Sequence, residues 1–212
     1  MKANQALLEE VMRIKVNLLQ TGMNSRLKSI MITSASSGEG TSTVAYHLGL
    51  SFALGGKSRV LVVDANIRNP SMHILFEREQ KNGFFDFLDG KIELSESIKD
   101  TSFQNVKVMT TGQQRYGDVL GVFADISRDV KDSIEKDFDW VIYDTSPVNR
   151  YPDTLVMTHL SDGIILVISA EKIRRAAVQK AKESLESIDA KILGGVLNGR
   201  KYVVPRFIYK RL

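Results

Sequence analysis

Residues 34–49, SASSGEGTSTVAYHLG, decide the fold, because they join an apolar run to a helix-length pattern through a glycine-rich turn. At such a junction, free backbone N–H groups and the positive end of the helix dipole point to one spot, which favours an anion. The spacing partly matches the phosphate-binding loop G-x-x-x-x-G-K-[ST]. Gly40 and Ser42 fit it, whereas Ala35 replaces the first glycine and Thr41 replaces the lysine. On its own the loop is therefore a weak match.

Outward from this stretch, apolar runs alternate with helix-length patterns, which indicates βαβ units. Strands are predicted within 28–35, 58–66, 106–112, 139–148, 163–170 and 190–198. Helices are predicted within 6–22, 41–56, 82–90, 118–137, 152–160 and 172–187. We therefore expect an α/β fold with a doubly wound, mostly parallel sheet and helices on both faces. Residues 1–198 are expected to form one domain that begins with a helix at 1–22, followed by a basic and aromatic tail at 199–212.

Composition excludes several classes of protein. The chain has 212 residues and no cysteine, so it has neither disulfides nor thiolate metal sites. No apolar stretch is long enough to span a membrane and no signal core opens the chain, so we expect a cytoplasmic protein. The formal net charge is +4, but the tail holds five basic residues and no acid, so the rest of the chain is close to neutral. This distribution does not favour nucleic-acid binding.

Two acids follow apolar strands. Asp64 ends the run VLVVD and Asp144 ends the run WVIYD. Ligands of doubly wound sheets bind at the carboxyl ends of the strands, so both acids are expected to meet the glycine-rich loop there. A nucleotide site needs acids of this kind to hold Mg²⁺ or its water, with Ser42 as the hydroxyl ligand. The alternative for each acid alone is a helix cap or a solvated turn.

Six segments follow one another along the chain: EEVMRIKVNL, SASSGEGTST, DANIRNP, GFFDFLDG, DTSPV and GGVLNGR. In this order they resemble the motifs of the bacterial tyrosine kinases of capsule and exopolysaccharide synthesis, which belong to the MinD/ParA-like P-loop ATPases. The resemblance covers nearly the whole chain. It implies a P-loop NTPase fold that binds ATP or ADP with Mg²⁺. The implied nucleotide contacts are Ser37, Gly38, Glu39, Gly40, Thr41, Ser42, Thr43, Arg68, Asn198 and Arg200, and the implied metal ligands are Ser42, Asp64 and Asp144.

The resemblance implies catalytic positions at Asp64, Asp144, Asn66 and Thr41, and the chain departs from the family at the last two. Thr41 stands where the family has the loop lysine, and Asn66 stands where it has a second acid. The family's C-terminal tyrosine cluster is also missing, since the tail has only Tyr202 and Tyr209. These losses predict a degenerate, regulatory kinase-like protein whose phosphotransfer is weak or absent.

Three other functions stay open. The chain could be an active ATPase or autokinase in which Lys57, or a lysine of a neighbouring subunit, replaces the missing cation. It could be a nucleotide-free scaffold. A dinucleotide-binding protein is the third, but Thr43 stands where its fingerprint needs a third glycine.

The resemblance also implies partners. An inner-membrane chain-length or co-polymerase protein is expected to hold the chain at the inner face of the membrane. The N-terminal helix resembles the segment that assembles family members into homo-oligomers, although Met12 replaces an arginine there. The basic and apolar tail suits an anionic membrane surface.

Overall fold

The computed structural model describes residues 2–22, 27–54, 56, 58–113, 128–171 and 175–199. The strands are β1 Ser29–Ser34, β2 Val60–Asp64, β3 Ile98–Asp100, β4 Val106–Met109, β5 Trp140–Asp144, β6 Gly163–Ser169 and β7 Ile192–Asn198. The helices are α1 Lys2–Gly22, α2 Thr41–Ala53, α3 Met72–Leu75, α4 Phe84–Leu88, α5 Leu94–Ser97, α6 Arg128–Glu135, α7 Asp153–Val156 and α8 Arg175–Glu186. A 3₁₀ turn, Met157–Leu160, follows α7.

The strands form one sheet in the order β3-β4-β2-β5-β1-β6-β7. Every neighbouring pair is parallel except β3 and β4. The predicted α/β fold with a doubly wound, mostly parallel sheet is therefore confirmed. The order places β1, which feeds the glycine-rich loop, next to β5, and β5 next to β2. The loop and both strand-end acids thus share one edge of the sheet.

The sheet is buried on both faces, which explains why its central strands are apolar without alternation. On one face, Ile32 and Val62 pack in a cluster that includes side chains of α1 and α2. On the other face, Met31 and Leu61 pack in a cluster that includes side chains of α4, α6 and α8. This two-sided packing fixes the strand ends, and with them the side chains of the site.

The structure differs from the sequence prediction mainly at the edge next to β4. Strand β3 and the short helices α3 and α5 were not predicted. The strand predicted within 106–112 leaves the sheet at Met109, because the carbonyls of Thr110 and Thr111 accept hydrogen bonds from Phe84 and Phe85 N–H. Of the helix predicted within 118–137, the structure describes Arg128–Glu135, and residues 114–127 lie outside the described part.

Three other predictions concern residues beyond what the structure describes. Lys57, Arg200 and the rest of the tail at 201–212 all lie outside the described residues. The division into a domain at 1–198 and a tail therefore stays a prediction. Within the described residues, no helix combines the length and the apolar character needed to cross a bilayer.

Candidate functional site

The glycine-rich turn between β1 and α2 exposes the start of a helix. Gly38 and Gly40 have φ angles of 79° and 86°, in the left-handed region that glycine adopts without strain. Helix α2 begins at Thr41 with no side chain capping its first N–H groups. These amides and the positive end of the helix dipole face a cleft, so the turn has the local chemistry of an anion site.

Glu39 braces the loop from inside. Its side chain is 2% exposed, and Oε1 accepts a hydrogen bond of 2.7 Å from the Ser36 N–H. Burial raises the pKa of Glu39, while backbone N–H donors lower it again. The side chain that the resemblance assigned to nucleotide binding is therefore turned into the protein, and its contribution to the cleft is through the backbone.

Asn198, at the end of β7, fixes the same loop from the other side. Its Nδ2 donates a hydrogen bond of 2.8 Å to the Glu39 carbonyl. A Cβ atom on Gly40 would lie 2.0 Å from this Nδ2, so the loop needs glycine at that position for space as well as for its φ angle. Asn198 thus holds the loop backbone, and its contact with a nucleotide base stays a prediction.

Asp64 and Asp144 are neighbours across the β2–β5 ladder, and both are fully buried. Asp64 already has donors: its Oδ1 accepts from the Asn66 N–H at 3.2 Å, and its Oδ2 accepts from the N–H groups of Ser71 at 2.8 Å and Met72 at 2.9 Å. Burial raises its pKa and these amides lower it. Asp64 therefore organises the turn after β2.

Asp144 differs, because neither of its carboxylate oxygens accepts a hydrogen bond from a described residue. Burial, and then the charge of Asp64, raise the pKa of Asp144 well above its usual range. The Ser42 side chain lies near enough to lower this pKa, but without the geometry of a full hydrogen bond. A buried carboxylate without donors is unfavourable unless a proton or a cation accompanies it.

These side chains fit a magnesium ion better than a metal held by protein alone. Among the described residues, no cluster of three or more His, Asp or Glu side chains could hold a metal. Mg²⁺ in nucleotide sites takes one or two carboxylates and completes its shell with phosphate oxygens and water. Asp144 and Ser42 would supply the direct protein ligands. The Asp64 carboxylate already accepts hydrogen bonds from three backbone N–H groups, so it is better placed to bind water molecules around the ion than the ion itself.

Asn66 is part of the protein framework as well as of the cleft. Its side-chain oxygen accepts from the Ser146 hydroxyl at 2.8 Å and from the Asn69 N–H at 3.1 Å. The amide is nearly buried. It ties the turn after β2 to the turn after β5, and it brings a neutral group to the position where the family has an acid.

Two arginines bring positive charge to the cleft. Arg68 forms an ion pair of 3.6 Å with Asp153 and lies 5.0 Å from the ring centre of Tyr151. Arg150 lies 5.5 Å from the same ring, and its Nη1 is 3.5 Å from the Ser37 hydroxyl. Thr41, nearly buried at the start of α2, adds no charge.

The cleft has a volume of about 510 Å³. Its lining residues are Ser34, Ser37, Gly38, Gly40, Thr41, Ser42, Thr43, Asn66, Arg68, Asn69, Ser71, Ile74, Leu75, Thr145, Pro147, Arg150 and Tyr151. The structure therefore brings together most of the residues that the sequence analysis selected, with Asp64 and Asp144 buried at the ends of the strands beside them. Arg150 and Tyr151 were missed. They follow β5 by a few residues. Because ligands of doubly wound sheets bind at the carboxyl ends of the strands, their position after this strand could have indicated them.

Comparison with known proteins agrees with this geometry. Residues 27–193 match the family model of the AAA domain. The tyrosine-protein kinase YwqD of Bacillus subtilis (strain 168) is 32% identical over 193 residues, which cover 91% of this chain and 81% of YwqD.

Solved structures show the same relationship. The kinase domain of the Escherichia coli tyrosine kinase ETK superposes with a TM-score of 0.85 at 26% identity, covering 93% of this chain and 78% of that one. The septum site-determining protein MinD of Pyrococcus horikoshii OT3, complexed with Mg-ADP, shares the fold at a TM-score of 0.65 and 24% identity, over 86% of this chain and 76% of that one. The chain therefore belongs to the family of bacterial tyrosine-protein kinases, and it shares its fold with MinD.

Proposed function

We propose that this chain is a degenerate tyrosine-kinase-like protein that binds ATP or ADP with Mg²⁺ and regulates bacterial capsule or exopolysaccharide synthesis, with weak or absent phosphotransfer. One observation carries the proposal: Asp144 is buried and accepts no hydrogen bond from a described residue, in a site whose loop leads to Thr41 in place of lysine. The first feature favours binding of a nucleotide with its metal. The second removes a group on which transfer depends.

The retained groups support binding. The open start of α2 offers backbone N–H groups to phosphates, and Asp144 with Ser42 offers oxygen ligands to Mg²⁺. Mg²⁺ held by these two side chains would supply positive charge that offsets the charge of the phosphates. It would also relieve the buried Asp144 carboxylate, so binding and the stability of the fold would act in the same direction.

The lost groups argue against fast transfer. Phosphoryl transfer is catalysed almost entirely by positioning and charge neutralisation. A charge-assisted hydrogen bond contributes about 1.5–3 kcal/mol to the ground state, and each ~1.4 kcal/mol lost from the transition state costs about tenfold in rate. Thr41 removes a cation, and the amide of Asn66 removes an acid. We expect these two changes together to slow transfer by several orders of magnitude.

The setting of this function is part of the proposal. The relationship to bacterial tyrosine kinases supports a cytoplasmic protein held at the inner face of the membrane by a polysaccharide co-polymerase partner. Helix α1 supports self-association, because Met12, Val16 and Leu19 are 38%, 50% and 42% exposed, a high exposure for apolar side chains. The basic tail at 199–212 would add a contact with anionic lipid.

Calorimetry with ATP, ADP and NAD in the presence of Mg²⁺ tests the binding half of the proposal. We expect heat from ATP or ADP and none from NAD, which serves as the matched ligand for a dinucleotide-binding protein. Absence of heat with all three would leave the nucleotide-free scaffold as the better description. Heat with NAD alone would favour the dinucleotide-binding function instead.

A phosphotyrosine blot tests the catalytic half. The purified protein is compared with the Thr41→Lys/Asn66→Asp double variant, and with the same double variant carrying Asp144→Asn as an inactive control. We expect little or no signal from the unmodified protein and a gain in the double variant. A strong signal from the unmodified protein would refute weak transfer and favour an active autokinase.

A further inference from the structure

We infer that Arg150 supplies the phosphate-binding cation that the loop lacks at Thr41, so that the phosphates of a bound nucleotide lie between the loop amides and this guanidinium. The inference rests on the proposed nucleotide binding and adds the residue that makes it possible without the lysine. Arg150 comes from the turn after β5, whereas the loop amides come from the turn before α2, and both border the cleft.

Arg150 forms only a weak contact with the loop. Its Nη1 is 3.5 Å from the Ser37 hydroxyl, at the outer limit of a hydrogen bond. No carboxylate of a described residue lies within ion-pair distance of it, although its side chain borders the cleft. Most of its five N–H donors are therefore still available to a ligand.

Among the described residues that line the cleft, Arg68 is the other cation, and it already forms an ion pair. Its guanidinium is 3.6 Å from the Asp153 carboxylate, and that carboxylate is almost fully buried. Moving Arg68 onto a phosphate would leave a buried charge without its partner, which is costly. The exposed Arg150 forms no ion pair with a described residue, so it can bind a phosphate without breaking one.

The turn that carries Arg150 is held in place. The N–H groups of Arg150 and Tyr151 both donate to the Pro147 carbonyl at 3.2 Å. The neighbouring Asn149 donates through Nδ2 to the Ala177 carbonyl at 2.7 Å, which anchors the turn to α8. The guanidinium also lies against the Tyr151 ring. The backbone that carries Arg150 is thus positioned at the cleft before any ligand arrives, which reduces the entropy lost on binding.

Guanidinium chemistry suits this role. Arginine stays charged at all physiological pH values and presents a planar fork of donors that matches two phosphate oxygens at once. A lysine at position 41 would deliver a point charge from the helix side. Arg150 delivers an equal charge from the β5 side, beside the same loop.

Calorimetric titration with Mg-ATP and with Mg-tripolyphosphate tests the inference on the full chain. Arg150→Gln is expected to weaken both affinities by roughly 10- to 150-fold, the loss that one charge-assisted interaction predicts. Tripolyphosphate has no base or ribose. An equal loss of affinity for both ligands would therefore show that Arg150 acts on the phosphates. Arg59→Gln is the matched control, because Arg59 is exposed at the opposite edge of the sheet. We expect it to change either affinity by less than twofold.

A second variant tests whether a cation at position 41 can replace the one at position 150. Adding Thr41→Lys to Arg150→Gln is expected to recover at least tenfold of the lost affinity. If Arg150→Gln binds with wild-type affinity, the inference is overturned and the proposed nucleotide binding stands. The same conclusion follows if Arg150→Gln loses affinity and Thr41→Lys does not recover it. Absence of binding to the wild-type protein would overturn both. Melting curves of each variant confirm that the compared proteins are folded.

Discussion

At Asp144, burial and ionisation oppose each other. The carboxylate is fully buried, has no hydrogen-bond donor among the described residues, and has Asp64 as its neighbour on the next strand. Its pKa is raised well above the usual range for these reasons. The folded protein therefore holds this proton more tightly than the unfolded chain does. Its contribution to stability is complete below the unfolded pKa of about 3.9 and is lost as pH rises through the folded pKa.

Asp144→Asn is accordingly expected to stabilise the ligand-free protein at pH 7. The asparagine amide is neutral, so the variant avoids the cost of burying a charge beside Asp64. We expect a gain of about 1–3 kcal/mol, and each kcal/mol corresponds to about 2–4 °C in a chain of this size. Thermal unfolding without Mg²⁺ should show a higher midpoint for the variant at pH 7 and a smaller difference at pH 4. Added Mg-ATP should raise the midpoint of the wild-type protein alone. A variant less stable than wild type at pH 7 would contradict this account of Asp144.

Gly40 is expected to be the more sensitive of the two glycines in the loop. Gly40→Ala combines a left-handed φ angle with a Cβ placed 2.0 Å from Asn198 Nδ2, whereas a Cβ on Gly38 meets no atom within 4 Å. Each variant should lose about 1–2 kcal/mol through its backbone. Gly40→Ala should lose a further ~1 kcal/mol or more through the clash.

Urea unfolding of the two glycine variants measures that difference. Asn198→Ala in the Gly40→Ala background removes the clashing atom, so the double variant should lose less than the sum of its single changes. Strict additivity would show that the contact between Asn198 and the loop has no energetic weight.

The sequence predicted where the site residues lie but not what each one touches. Asp64 and Asp144 could be located because strand ends follow from apolar runs. Their different roles depend on the N–H groups of Ser71 and Met72, which reach Asp64 and not Asp144. Arg150 contacts a loop 113 residues away along the chain. A pairing at that separation is fixed by the three-dimensional packing and has no local signature.

Among the elements, α4 illustrates how a short helix is fixed to the sheet. Its first N–H groups donate to the carbonyls of Thr110 and Thr111, at 2.7 and 3.0 Å, just beyond β4. Asp86 accepts from the N–H groups of Gly83 and Gln113, both at 3.0 Å. The helix and the end of β4 therefore form one unit, joined by backbone hydrogen bonds and by the Asp86 carboxylate.

Gly83→Ala should disrupt that unit. Its Cβ would lie 2.1 Å from both the Gly112 nitrogen and the Thr110 oxygen, and these backbone atoms cannot rotate away. We expect a loss of more than about 2 kcal/mol in the free energy of unfolding measured with urea. Gly195→Ala in β7 is the control, since its Cβ would make an ordinary contact of 3.5 Å with Ile168. Equal losses in both variants would contradict the importance of the close approach at Gly83.

The elements that the sequence predicted are those with a strong local pattern. Six apolar runs correspond to β1, β2, β4, β5, β6 and β7. Strand β3 was missed because Ile98, Lys99 and Asp100 carry no pattern of their own. They are extended because they pair antiparallel with β4. The short helix α3 similarly depends on Asp64, whose carboxylate accepts the N–H of its first residue.

On the scale of the whole molecule, α1 lies against α2 and leaves an apolar face outward. Lys15 is anchored inward through Nζ, which donates to the Ser51 carbonyl at 2.8 Å. Met12, Val16 and Leu19, spaced by four and three residues, are exposed and lie on a different face of α1 from the buried Val11 and Leu18. Spacing of this kind is typical of a helix that packs against a further partner.

The proposed self-association predicts that this face is its contact. Val16→Glu/Leu19→Glu is expected to lower the molar mass measured by light scattering after gel filtration. The control is Ile188→Glu, which introduces a charge at an apolar residue of similar exposure, 39%, just after α8. If the α1 double variant has the molar mass of the wild-type protein, this face is excluded as the contact. It is also excluded as a specific contact if the α1 variant and the control lower the molar mass equally.

The hydrogen bond between Asn198 and the Glu39 carbonyl spans 159 residues, and it relates the site to the order of synthesis. The loop leaves the ribosome early, yet the residue that fixes its shape is made after every other strand of the sheet. A nascent chain would therefore carry a phosphate loop that lacks this hydrogen bond until β7 docks beside β6. The last restraint on the loop would thus form only after translation has passed the final strand of the sheet.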